Sequence, residues 1–328
     1  MSLTIPRRGV LGLGAAALAG VSAPAFGQTI NRPVRVIVGF PAGGSSDVVA
    51  RLYADKLRGI YAPNLIVEGR VGAAGRIAVE AVKAGEPDGS IYLQTPASML
   101  TLQPHVFPRE VRYDALTDLS PVSTVCSFPF AAAVPSTHPA KTFPELVAWL
   151  KAQQGEVPFA SPAAGSAPHF LGVMLGKALD VRMTHVPYRG AAPAMQDLIG
   201  GRLPLFIGVL NDISPQHGTG ARMLAVSSPE RNPRYPDLPT FAELGYPQFT
   251  KDEWFGALLP PNTPASIVNG LHAAILRVSR MPDMVAALDR LEYLPTVSES
   301  PQAFADLIRR ERAEYATIVQ ESGFKPEN

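Results

Sequence analysis

The stretch that most constrains this chain is Val34 to Asp47, VRVIVGFPAGGSSD. A short Val- and Ile-rich run breaks at Pro41-Ala42-Gly43-Gly44. Ser45, Ser46 and Asp47 then lead into Val48, Val49, Leu52, Tyr53 and Leu57, apolar residues at three- and four-residue spacing. This pattern predicts a strand, a glycine turn and a helix. Glycines let the chain reverse with its N–H groups exposed. The helix start adds further free N–H groups and the positive end of its dipole, so the corner suits an anion. The same residues also serve as a plain turn with capping side chains. No Lys-Ser/Thr follows the glycines and no G-x-G-x-x-G stands here, which argues against a nucleotide phosphate. Neutral N–H and hydroxyl donors fit a carboxylate, whose two oxygens accept several bonds.

Residues 1–27 read as a cleaved export signal peptide. Arg7-Arg8 precede an apolar run, Val10 to Ala19, that is too short to span a bilayer. Ala23-Pro24-Ala25 and Ala25-Phe26-Gly27 offer small-residue cleavage sites. The arginine pair before a Gly/Ala-diluted core fits a twin-arginine signal, with a general secretory signal as the alternative. The leader holds two arginines and no acid, so its removal takes the formal net charge from +1 to −1. A near-neutral chain argues against nucleic acid or an anionic membrane surface as partner. The single cysteine, Cys126, excludes an internal disulfide. His105, His138, His185, His217 and His272 share no ligand spacing, so no metal and no cofactor are expected. No G-x-S-x-G elbow and no recognisable Ser, His and Asp grouping occur, and no catalytic residue is assigned.

Further strands are expected at Leu65–Val67, Ile91–Leu93, Pro121–Val134, Phe159–Ser161, Leu205–Ile207, Met223–Val226 and Trp254–Leu259, with one more running into His185. Helical patterns separate most of them. Thr263 is expected to cap a helix with Pro264 at its first position. A last helix, Gln302 to Gln320, presents Phe304, Ile308, Tyr315 and Ile318 on one face, with Gly323 past its end. Strands alternating with helices indicate βαβ units and a mostly parallel sheet, whose ligands bind at the carboxyl ends of the strands. Corners at 40–47, at 95–98 with Thr95 and Ser98, at 161–169 and at 188–193 all sit there. Several such corners facing one point make a two-lobed receptor for an anion.

The stretches VRVIVGFPAGGSSDVVAR (34–51), VEGRVGAAGRIAVEAVKAGEPDG (67–89), HPAKTFPELVAWLKAQQG (138–155), HVPYRGAAPAMQDLIGGRL (185–203), LAVSSPERNPRYPDLPTFAELG (224–245) and WFGALLPPNTP (254–264) run nearly end to end. Together they resemble the substrate-binding proteins of tripartite tricarboxylate transporters, the Bug family of periplasmic receptors. The resemblance implies an α/β, type II periplasmic-binding-protein-like fold, with two α/β lobes joined by crossing strands and a ligand cleft between them. Residues 28–126 plus 251–328 form the expected discontinuous first lobe and 127–250 the second. It also implies a monomeric, non-catalytic periplasmic receptor that takes a small carboxylate and hands it to integral membrane transporter subunits. Rival readings are an exported small-molecule hydrolase using Ser or His in the cleft, and a receptor serving a signalling partner.

Residue by residue, the family's F-P-A-G-G loop falls on Phe40, Pro41, Ala42, Gly43 and Gly44, with its aspartate on Asp47. The second-lobe loop falls on Ser161, Ala164, Gly165, Ser166 and His169, and the V-P-Y-[KR]-G turn brings Tyr188, Arg189 and Gly190. Each also has a structural reading. Asp47 suits the dipole of a first helical turn, His169 a neighbouring backbone group, and Arg189 a surface ion pair. Two departures stand out. The family's polar S-G-N-G-[ST] is here Pro162-Ala163-Ala164-Gly165-Ser166. Its V-D-x-x-F-D-N is Leu203-Pro204-Leu205-Phe206-Ile207-Gly208-Val209, without either aspartate. These changes argue for a carboxylate with an apolar or aromatic body and against a ligand amino group or a sugar-like polar body.

Overall fold

The computed structural model describes residues 30–322 and Phe324. The signal peptide read in residues 1–27, and Gly323, lie outside the described residues. The first part of the chain forms β1 (Val34–Val38), α1 (Ser45–Leu57), β2 (Leu65–Gly69), α2 (Arg76–Lys83), β3 (Ile91–Pro96), α3 (Ser98–Thr101) and α4 (Gln103–Val106). A long β4 (Ser120–Pro135) leads to α5 (Phe143–Lys151), β5 (Val157–Ser161), α6 (Ala167–Leu179), β6 (Met183–Pro187), α7 (Ala191–Ile199), β7 (Phe206–Val209), α8 (Leu210–Ile213) and β8 (Ala221–Val226). The chain closes with β9 (Asp252–Leu259), α9 (Ala265–Ser279), α10 (Pro282–Arg290) and α11 (Pro301–Ser322).

The strands order as β2-β1-β3-β9-β4-β7-β5-β6, with β8 also on β4. Parallel pairs, β1 with β2 and β3, and β5 with β6 and β7, make the outer part of each lobe. Strand β4 belongs to both. Its residues from Ser120 to Pro129 pair antiparallel with β9, and from Phe130 to Pro135 with β7 and β8. The change of partner falls at Pro129, which has no N–H to give to a ladder. The second crossing is pinned beside it. The Phe130 N–H donates to Ser227 Oγ at 2.8 Å, and that hydroxyl donates to the Lys251 carbonyl at 2.7 Å.

Apolar strand faces and helix stripes bury one another on both sides. Val36, Val38, Val49, Tyr53 and Leu57 belong to one cluster with Leu271 and Ile275 of α9. Ile37, Leu93, Trp254 and Leu258 pack with Phe304 and Ile308 of α11. The C-terminal helices therefore lie against the β1–β3–β9 part of the sheet. Three local expectations change. Pro264 is itself the N-cap of α9, because the Thr263 hydroxyl donates to the Pro260 carbonyl at 2.7 Å and is spent on the turn. On α11 Phe304, Ile308 and Tyr315 are buried as expected, but Ile318 is half-buried and Val319 beside it is the buried residue. The corner after β3 also winds into two short helices, α3 and α4, which its sequence does not announce.

Candidate ligand-binding site

A chamber of about 90 Å³ lies between the lobes at the carboxyl ends of β1, β3 and β7. Its first wall is the 40–46 corner. Gly43, at φ +81, turns the chain, and its N–H donates to Asp47 Oδ2 at 3.0 Å. The same oxygen accepts from Arg51 Nε at 2.8 Å. Burial would raise the Asp47 pKa, but the Arg51 and Gly43 hydrogen bonds and the Arg51 charge hold it below the usual carboxylate range. Asp47 thus ties the loop to the helix. Ser45 and Ser46 carry this wall into the chamber lining. Ser45 Oγ donates to Asp212 Oδ1 at 2.5 Å, across the cleft from α8, and the Ser45 N–H bonds the same carboxylate. Ser46 Oγ is buried with no partner among the described residues.

The second wall uses its polar groups differently. Ser161 Oγ meets His185 Nε2 at 2.8 Å and the Ala163 carbonyl at 3.0 Å, and Ser166 Oγ donates to the same carbonyl at 2.7 Å. His169 Nδ1 accepts the Gly165 N–H at 3.0 Å, and its ring stacks on His185 with centroids 3.8 Å apart. Burial pushes these imidazoles down, His169 to about 4 and His185, with His169 beside it, to about 3, so both are neutral. Gly165 (φ +68) and Gly190 (φ +105) lie where the lobes touch. A Cβ on Gly165 would stand 2.2 Å from Phe107 Cε2, and one on Gly190 3.3 Å from Pro41.

The structure brings Phe40, Pro41, Ala42, Gly44 and Ser98 to the chamber from one side, and Ser166, Arg189 and Gly190 from the other. Ala164 and Tyr188 line an adjoining mouth. Gly43, Asp47, Thr95, Ser161, Gly165 and His169 line neither; Thr95 sits in the ladder opposite Gly256, and the others hold the corners in shape. Arg189 is exposed and makes no ion pair among the described residues, so the surface-pair reading does not hold; its side chain lines both chamber and mouth.

Residues that sequence reasoning missed complete the chamber. Phe128, Phe130 and Phe255, from the crossing strands, form an aromatic floor with Val209 beside it; Phe128 and Phe255 lie 4.5 Å apart. The alternation of Phe128 and Phe130 on one apolar strand was the available signal. Two acids also line it. Glu253 on β9 accepts the Ser98 N–H at 2.6 Å, and burial pushes its pKa up to about 7. Burial likewise pushes Asp212 up to about 6, against the hydrogen bonds from Ser45. The absence of aspartates at Pro204 and Gly208 therefore does not make the cleft free of acids.

A profile described as the tripartite tricarboxylate transporter family receptor matches residues 49–324. The protein BugT of Bordetella pertussis is 32% identical over 312 residues, which cover 94% of this chain and 95% of BugT. Two solved structures share the fold. A Rhodopseudomonas palustris protein with bound malate is 27% identical with a TM-score of 0.81, over 88% of this chain and 98% of that one. An R. palustris protein with adipate is 28% identical with a TM-score of 0.84, over 89% and 97%.

Proposed function

The chain belongs to the tripartite tricarboxylate transporter receptor family, and from that premise we propose that it is an exported, monomeric periplasmic receptor which closes on one small carboxylate and delivers it to membrane transporter subunits. One observation carries the reading for this chain. Arg189, which has no ion pair among the described residues, lines the interlobe chamber opposite the Gly44, Ser45 and Ser46 helix start of the other lobe. Malate and adipate in the two related structures differ in length and in hydroxylation, which supports a shared carboxylate end and a variable body. Here Phe40, Phe128, Phe130, Phe255 and Val209 favour an apolar or aromatic body, at about 25 cal/mol per Å² buried. The Ser161–His185 contact has the distance of a nucleophile and its base, but neither residue lines the chamber, which disfavours the hydrolase reading.

Mass spectrometry of the small molecule that co-purifies, followed by calorimetry, tests the proposal. Gly44 has φ −81 and ψ 168, open to any residue, and lines the chamber, so Gly44→Val is expected to fold. The added side chain would take up chamber space beside Ser45 and Ser46, so affinity should fall about tenfold or more. Wild-type affinity in Gly44→Val would remove this corner from the site. Conversion of the bound molecule on incubation would make the protein an enzyme.

A further inference from the structure

Asp212 and Glu253 enter the chamber from opposite lobes, and neither takes part in an ion pair among the described residues. Among the described residues Asp212 accepts from Ser45, and Glu253 from the Ser98 N–H. Lys251 is the cation that offsets Glu253, and Glu311 beside it acts the other way. A carboxylate buried among aromatic rings is costly unless a cation meets it. A ligand with two or three carboxylates would add like charge to that cost. Each acid also has lone pairs to spare, since a carboxylate accepts about four bonds. Arg189 alone supplies positive charge to the lining. Ser46, another lining residue, holds a buried hydroxyl without a partner among the described residues, which points independently to a missing polar group there.

We infer that the solute carries a protonated nitrogen as well as its carboxylate and apolar body, with Asp212 and Glu253 reading the nitrogen and Arg189 the carboxylate. The inference rests on the receptor function proposed above and narrows its ligand to a zwitterion with an aromatic or alkyl body. Asp212 has a second consequence. It reaches the α1 start from the other lobe, so the first corner's donors already hold a carboxylate that belongs to the protein. The ligand's own carboxylate is thereby left to Arg189, at the mouth.

Calorimetry with three probes of one body tests this: phenylalanine, 3-phenylpropionate, which lacks the amine, and phenethylamine, which lacks the carboxylate. Phenylalanine is expected to bind about ten- to a hundred-fold more tightly than either. Asp212→Asn and Glu253→Gln should each remove most of that advantage and tighten 3-phenylpropionate, because a like charge has gone. Arg189→Gln should weaken both carboxylates and spare phenethylamine. Thermal melting of the same variants checks that they fold. Equal or tighter binding of 3-phenylpropionate by the wild type overturns the inference. Binding of simple diacids alone overturns it too and leaves carboxylate capture standing, whereas binding of no carboxylate of any kind removes both.

Discussion

The two corners that face each other across the cleft share one design, a strand, a run of small residues and a helix start, yet spend their polar groups in opposite ways. At 40–47 the side chain that secures the loop, Asp47, turns inward, Ser45 reaches across the cleft to Asp212, and the buried Ser46 hydroxyl has no partner among the described residues. At 161–169 the hydroxyls and both imidazoles are consumed within the wall, and only Ser166 reaches the chamber. Sequence similarity between two corners thus says that both can present N–H groups, and little about which one does. The first corner reaches across the cleft through Ser45, while the second is tied up within itself as a rigid, neutral wall.

The largest effect should come from Gly165→Val. A non-glycine residue at φ +68 costs about 1–2 kcal/mol, and the added carbons meet the Phe107 ring from the other lobe. Chemical denaturation should show a loss of more than about 2 kcal/mol, and small-angle scattering should show the lobes apart. A closed, wild-type-like particle would mean that Phe107 swings away freely and that this wall is not the rigid one.

Much of the frame was legible beforehand because its signals are local. Glycines at φ > 0 mark Gly43, Gly165 and Gly190, and the apolar run from Pro121 to Val134 marks the crossing strand. The chemistry of the chamber was less so. His169 and His185 belong to separate elements, and their stack exists only once α6 lies on β5 and β6. Asp212 sits on the short helix α8, just past the strand ending at Val209, and only the folded cleft carries it to Ser45. Glu253 stands in a strand whose pattern reads as core, and only the folded cleft shows it as a lining residue bonded to the Ser98 N–H at the start of α3. Position along the chain does not reveal which side of a closed cleft a carboxylate will face.

The corners should also part company on acidification. His169 and His185 have folded values of about 4 and 3, below the ordinary 6.5, so the unfolded chain binds their protons first and stability falls as pH drops below 6.5. Asp212 and Glu253, at about 6 and 7, lie above their ordinary range, so the folded chain takes up their protons first and stability rises as pH drops from 8. The two effects offset each other, so the wild type should stay level within about 0.5 kcal/mol from pH 8 to pH 5. In Asp212→Asn/Glu253→Gln only the histidine loss remains, about 3 kcal/mol between pH 6.5 and 5. Urea melts at three pH values decide it. A double variant as flat as the wild type would show that the histidines are already charged in the fold, and the second wall would no longer be the neutral one.

The smallest effect sharpens the first corner. Asp47→Asn keeps an oxygen for the Gly43 N–H but loses the charge that faces Arg51, a side chain 56% exposed, and so an ion pair well screened by water. Removing that charge also weakens the interaction with the α1 dipole, in a first turn where an acid is favourable. The two losses together should cost about 1 kcal/mol in a denaturation experiment. Because Asp47 acts on the shape of the loop and lies outside the chamber lining, ligand affinity should drop by no more than about threefold, the size of a small adjustment in loop position. A drop of about tenfold or more, at unchanged stability, would mean that the carboxylate reaches the ligand through an ordered water. The first corner would then recognise its solute with an acid, which would make the contrast between the walls one of charge as well as of reach across the cleft.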